Sequence, residues 1–294
     1  MPAPGSSEYE NHYKNIFDEI VRTLRKTDNF NTLLTFENLL QNDFINDRYA
    51  YVQIDNDYRF LNRHDKLHAL KVVMYSLRFF NELKHYDRLI SLETPRDEKD
   101  IRFATTALYK LPEDYSCLAV VTAAYVHDMY RYMIDHGLAA ALMIQSVFEG
   151  LRLRDRPERD RVNRIMPIIE QCIMRHGGDL EAQNAEQAVV MLADSADNDK
   201  ERTRGTFRVE EVIRRDRRPI EYFSCRDVER VEVGPSAYGK RLDVTFYLLG
   251  NAGWHQVHNF YRTLMNSNLG DLIALYVRSP GLSDIVQIWP PEEK

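Results

Sequence analysis

The stretch Val120–Tyr132, VVTAAYVHDMYRY, decides how this chain is read. It opens as an apolar helical run without a charge and closes on His127 and Asp128, side by side. Neighbouring side chains on a helix diverge by about 100°, so the pair is not a salt bridge folded on itself. An imidazole and a carboxylate at the end of a core helix are costly to bury unless something satisfies them.

Histidine and aspartate recur against apolar runs on both sides of this stretch. In HDKLHALKV, residues 64–72, helical spacing places His64 and His68 at i and i+4, on one face. His176 stands in CIMRHGG, where Gly177 and Gly178 suggest a helix end from which a side chain can turn into a cleft. Asp194 closes the run AVVMLAD, and Asp197 follows one turn later. Imidazole and carboxylate are the donor set of a borderline or hard divalent metal ion. A coordinated His-Asp pair is no longer unsatisfied. Taken singly, each of these residues has a plainer reading as a hydrogen-bonded core histidine or a cap. His85, His255 and His258 show no partner pattern and read as structural. The metal reading rests on order: His, then His-Asp, then Asp, each against an apolar helix.

Around these positions the periodicity is mostly helical. Residues 1–7 read as a disordered tail, and YKNIFDEIVRTLRK, residues 13–26, has helical spacing at Ile16, Ile20, Val21 and Leu24. TLLTFENLLQNDFI (32–45) reads as one short helix, and DRYAYVQIDNDYRF (47–60) as a turn-rich aromatic segment. HDKLHALKVVMYSLRFFNELK (64–84) is a clear helix, and RLISLETPRDEKDIRF (88–103) a Pro-interrupted surface loop. Residues 114–153 hold one or two long buried helices, with two more over 161–178 and 185–204. After Arg218-Pro219 the pattern changes. DVERVEV and RLDVTFYLL alternate with period 2, and GPSAYGK between them predicts a hairpin. A helix over 252–268 and a third strand, IALYV, complete a ββαβ unit. The fold class expected is mainly α: a helical bundle over residues 8–218, then a small α+β module over 219–294.

Composition excludes several classes. A chain of 294 residues, 44% hydrophobic and 29% charged, has the balance of an ordinary globular protein with a sizeable core. A net charge of −6 gives no broad basic field, so no duplex nucleic acid is expected as a partner. Cys117, Cys172 and Cys225 stand far apart without a CxxC pair, which favours reduced thiols in a cytoplasmic setting. No signal peptide and no membrane-spanning run are expected.

The order of these residues resembles the HD-domain superfamily of metal-dependent phosphohydrolases, whose signature runs H…HD…D on a bundle of helices. The matching positions are His68 in HALKV, His127-Asp128 in YVHDM and Asp194 in MLADSAD. LNRHDKLHALKVV and LADSADNDKERTR are also similar to segments of archaeal-type HD proteins that carry a small C-terminal α/β domain. The strand–strand–helix tail resembles theirs, and the likeness spans about residues 40–278. Where the family commonly has Gly after the HD pair, this chain has HDMYR, with Tyr130. Arg131 takes the place of a Lys and keeps a cation suited to a phosphate. His136 lies nine residues after His127, about half a turn out of phase on an unbroken helix, and joins a site only if the chain breaks after Asp128.

The resemblance implies a divalent-metal-dependent phosphohydrolase acting on a phosphomonoester or phosphodiester, nucleotides among the candidates. His68, His127, Asp128 and Asp194 would hold one ion, Mn, Mg, Co, Ni, Zn or Fe, and His64 and His176 would extend the set toward a second. Asp128 would also take a proton, and Arg131, Lys200, Arg202 and Arg204 are the candidate phosphate contacts. The aromatic segment 47–60 stands as plain core packing or as the wall of a base-binding pocket. Two other readings stay open: a non-catalytic nucleotide-sensing protein, and a two-iron oxygenase. The expected partner is a small phosphorylated substrate, with no membrane; self-association into a homo-oligomer is undecided.

Overall fold

A computed structural model describes residues 7–59, 62–90, 102–105, 111, 113–150, 156–203, 213, 219–236 and 242–290. Ten α-helices and a four-stranded sheet are present among them. The predicted loop beyond Ile90 falls largely outside the described residues, as does Arg204.

Three helices form the centre: α4 (Lys66–Ile90), α5 (Glu113–Val126) and α8 (Ala185–Ala196). Helix α5 is buried at every position from Tyr115 to Val126, so its sequence is apolar all round rather than amphipathic. It packs on α4, on α8 and on α7 (Arg156–Met174). Helix α1 (Ser7–Lys26) lies outside and buries Ile16, Ile20 and Leu24, one stripe at i, i+4 and i+8, against α4. Helix α2 (Phe30–Leu40) covers α5, and α6 (His136–Gly150) covers α7.

Two sequence expectations fail here. The segment 32–45 is not one helix, because the chain breaks at Gln41-Asn42 and restarts as α3 (Asp43–Arg59). The segment 47–60 is not turn-rich; it is the body of α3 through Arg59. Its buried stripe is Ile45, Tyr49, Val52 and Asn56, at i, i+4, i+7 and i+11. The spacing is helical, but a tyrosine and an asparagine on that stripe disguise it.

The C-terminal part begins with a short helix not foreseen, α9 (Pro219–Arg226), with proline at its first position, where a missing N–H costs nothing. Strands β1 (Val228–Pro235) and β2 (Leu242–Leu248) pair antiparallel, with Val233 opposite Val244. Helix α10 (Trp254–Asn266) crosses over to β3 (Ile273–Arg278), which runs parallel to β2. A fourth strand, β4 (Val286–Trp289), adds antiparallel to β3 and extends the expected ββαβ unit. Leu242, Val244, Phe246 and Leu248 are buried on one face of β2, as their alternation indicates, and Phe246 meets Phe260 of α10. The sheet leans on α4 through β1 and β2, and α10 packs on α8, so apolar packing continues from the bundle into the sheet.

Helix α8 is fixed at its start by two side chains. Asn184 accepts the Gln187 N–H at 2.8 Å as N-cap. Glu186, fully buried, accepts the backbone N–H groups of Ala104 and Thr105 at 2.8 and 3.0 Å, and the hydroxyls of Thr105 and Ser116. Glu186→Ala strands two buried N–H groups and is expected to cost roughly 3 kcal/mol or more. Urea unfolding measures it; a loss below about 1 kcal/mol would mean that these donors find other partners.

Candidate metal centre

Five helix ends converge on one point, and each brings a functional side chain there. Asp65 starts α4 by accepting the N–H groups of Leu67 and His68 on Oδ1, at 3.0 and 3.3 Å. His64 therefore precedes the helix and does not share a helical face with His68, contrary to the i, i+4 reading. It still arrives beside it, with ring centroids 5.4 Å apart.

Helix α5 ends at Val126, and the chain turns through residues 127–135 on i→i+3 bonds: Met129 N to Val126 O, Arg131 N to Asp128 O, Met133 N to Tyr130 O. Among the described residues only Asp28 and Asn268 are non-glycine residues with positive φ, so this break asks for no glycine and Tyr130 is accommodated. Side chains take the carbonyls that the helix leaves open. The Tyr49 hydroxyl donates to Tyr125 O, and His127 Nδ1 donates to Ala124 O at 2.8 Å. Because the helix breaks, His136 opens α6 and points back at the cluster. Gly137 eases that approach, since a Cβ there would stand 3.0 Å from the Ile173 and Met174 carbonyl oxygens. His176, two residues past the end of α7, caps it in the same way, Nδ1 donating to Ile173 O at 2.6 Å.

Asp128 is the hub. Its Oδ2 lies 2.6 Å from His64 Nδ1 and 3.5 Å from the Nε2 atoms of both His68 and His127. Its Oδ1 faces His136 Nε2 at 3.4 Å and His176 Nε2 at 3.5 Å. Asp194 Oδ1 stands 3.3 Å from His68 Nε2 and 3.8 Å from His127 Nε2. His127 Nε2 and Asp194 Oδ1 are buried, yet neither has a hydrogen bond of sound geometry. Atoms of this kind suit an ion better than one another. Among the described residues, three overlapping groups could hold a metal ion: His64, His68 and Asp128; His68, His127 and Asp194; His127, Asp128 and His176.

The outer hydrogen bonds prepare the donors. Asp197 Oδ2 accepts from His68 Nδ1 at 2.7 Å. With Nδ1 thus engaged in His68, His127 and His176, all three present Nε2 inward, as ligand histidines do. His136 differs. Arg131 Nη1 donates to its Nδ1 at 3.2 Å, which leaves the ring proton on Nε2, facing His176 Nε2 at 3.1 Å.

Charge follows the same plan. Burial alone would raise the Asp128 carboxyl, but the imidazoles of His127, His64 and His176 hold it well below the usual carboxylate range. Burial and the Arg202 charge push His68 down, while hydrogen bonds to Asp128, Asp194 and Asp197 outweigh them and hold it at about 10. Burial keeps His64 neutral and lowers His136 to about 4.

The basic residues separate clearly. Arg202 is buried: Nε donates to Arg63 O, and Nη1 to Asp197 O and Asn198 Oδ1. Its Nη2 stands 3.2 Å from His64 Nδ1 and 3.4 Å from His68 Nε2. Arg131 is on the opposite side, its side chain 36% exposed. Lys200 is exposed to solvent and outside the cluster. No family model, curated protein or solved structure matches this chain. No described helix is long and apolar enough to cross a membrane.

A proton on His68 must leave before a metal ion takes Nε2. Affinity should therefore rise with pH from neutrality toward about 10, with net proton release near pH 7. Calorimetric titration with Zn²⁺ in two buffers of different ionisation enthalpy measures the released proton. Identical heats in both would contradict this account of His68.

Proposed function

We propose that this chain is a divalent-metal-dependent phosphohydrolase acting on a phosphomonoester or phosphodiester, nucleotides among the candidate substrates. The observation that carries this reading is the Asp128 carboxylate, whose two oxygens face separate sets of imidazoles. The likeness of His68, His127-Asp128 and Asp194 to the HD-domain signature supports it.

His68, His127, Asp128 and Asp194 would hold the first ion. A second, weaker site would use Asp128 and His176, with His64 as a further donor on the other carboxylate oxygen. His136 faces the same carboxylate oxygen as His176 but carries its ring proton on Nε2, so it would serve there as a hydrogen-bond donor. A bound divalent ion supplies a Lewis acid for a phosphoryl oxygen and lowers the pKa of water toward neutrality.

The protein's own groups supply the rest. Arg202 is held by acceptors on Nε and Nη1, so Nη2 is aimed at the centre without reorganisation and can offset negative charge on a phosphoryl oxygen. Arg131, more exposed, can swing from His136 to a second oxygen of the same group. His64 donates Nδ1–H to Asp128, so its Nε2 keeps a lone pair able to accept a proton. A set this rich in histidine also suits a two-iron oxygenase. Stoichiometric iron with oxygen-dependent turnover would replace the hydrolase reading.

Metal analysis followed by a screen of nucleotides and phosphoesters with several divalent ions tests the reading. Asp128→Ala is expected to lose both metal and turnover while the helical content survives. Retention of both would end the assignment. Arg131→Ala should keep its metal and lower kcat/KM by roughly 10²-fold. An unchanged kcat/KM would remove Arg131 from substrate binding.

A further inference from the structure

Beneath the ligand cluster lies a second set of buried charges that the proposed chemistry does not use. Lys71 follows His68 by three residues on the same face of α4 and is 5% exposed. Its Nζ stands 2.6 Å from Asp197 Oδ1, 2.8 Å from Asp199 Oδ2 and 3.3 Å from Glu201 Oε2. Glu201 is also paired with His12 of α1 at 2.9 Å. An ammonium this deep costs several kcal/mol in lost hydration and survives only if well paired. Plain packing at this place would have taken a leucine or methionine.

The position of Asp197 shows what the lysine does. One carboxylate oxygen pairs with Lys71 and the other accepts from His68 Nδ1 at 2.7 Å. Asp197 thus stands one residue shell behind His68 and three residues after Asp194. A carboxylate released at such a place can rotate toward a metal ion or give up its grip on the histidine.

We infer that Lys71 is a positioning residue of the metal centre: it pins Asp197 as the hydrogen-bond acceptor of His68 and keeps that carboxylate from coordinating. The inference rests on the metal-centre reading. Asp197 orients the imidazole ring toward the centre, and Lys71 holds Asp197 turned away from it. The ligand set is thereby limited to the groups that already face inward.

The test uses the full chain and Co²⁺, whose d–d absorption reports the number and type of ligands. Wild type is expected to bind Co²⁺ with a defined spectrum; if it binds none, the metal reading fails, and Lys71 is not at issue. Lys71→Met should weaken Co²⁺ binding by roughly 10–100-fold and alter the d–d bands as Asp197 is released. Lys71→Arg, which keeps the charge, should restore both. Glu201→Gln removes another lysine partner without touching Asp197 and should leave the spectrum as in wild type. If Lys71→Met does not fold, the double variant Lys71→Met/Asp199→Asn, which removes one charge of each sign, takes its place. A folded variant lacking Lys71 with wild-type affinity and spectrum would overturn the inference.

Discussion

A carboxylate only 2% exposed has to be answered from every side, and Asp128 is answered by five imidazoles. Removing such an ion from water costs several kcal/mol after relaxation, a large part of the stability of a whole domain. No single histidine offsets that, because each gives Asp128 only one contact. The arrangement of the bundle follows from this demand. The start of α4, the ends of α5, α7 and α8, and the start of α6 all meet at Asp128, since helix termini are where polar groups can leave an apolar helix.

Helix termini also carry unsatisfied backbone groups, and here the two needs are met together. His127 and His176 each fold back onto a carbonyl three residues earlier, at 2.8 and 2.6 Å. One ring nitrogen completes the helix end while the other turns to the centre. A capping interaction that elsewhere only stabilises a helix thus orients a donor. At α4 the order is reversed: the acidic residue, Asp65, caps the helix, and His64 is set free ahead of it.

This explains which parts were legible in the sequence. Apolar runs that end on His or Asp stand out because helices α4, α5 and α8 are buried over most of their described length, so a His or Asp at an end breaks the pattern. The β2 strand showed itself for a similar reason, with one face buried and the other not. Helix α3 did not, since its stripe includes Tyr49 and Asn56, and strand β4 did not, being four partly exposed residues. Arg202 stands in a charged run, yet it is buried, because Arg63 arrives from elsewhere in the chain and the segment from Asp197 folds back to meet it. Lys71 was invisible for the same reason: three carboxylates more than a hundred residues away account for it.

His136 marks the boundary between what spacing can and cannot say. Nine residues after His127, it is out of phase on a continuous helix, and a missing glycine after the HD pair argued for continuity. The chain breaks nevertheless, because turns built on i→i+3 bonds keep φ negative and admit Met129, Tyr130 and Tyr132 as readily as glycine. The glycine that matters is Gly137, where α6 presses against the carbonyls that end α7. Its role is close approach, not backbone freedom. A Cβ there would crowd the Ile173 and Met174 carbonyl oxygens at 3.0 Å, so the turn that carries His136 would have to give by a few tenths of an ångström. The place of His136 beside His176 therefore leans on a residue that is neither donor nor turn former, but only small.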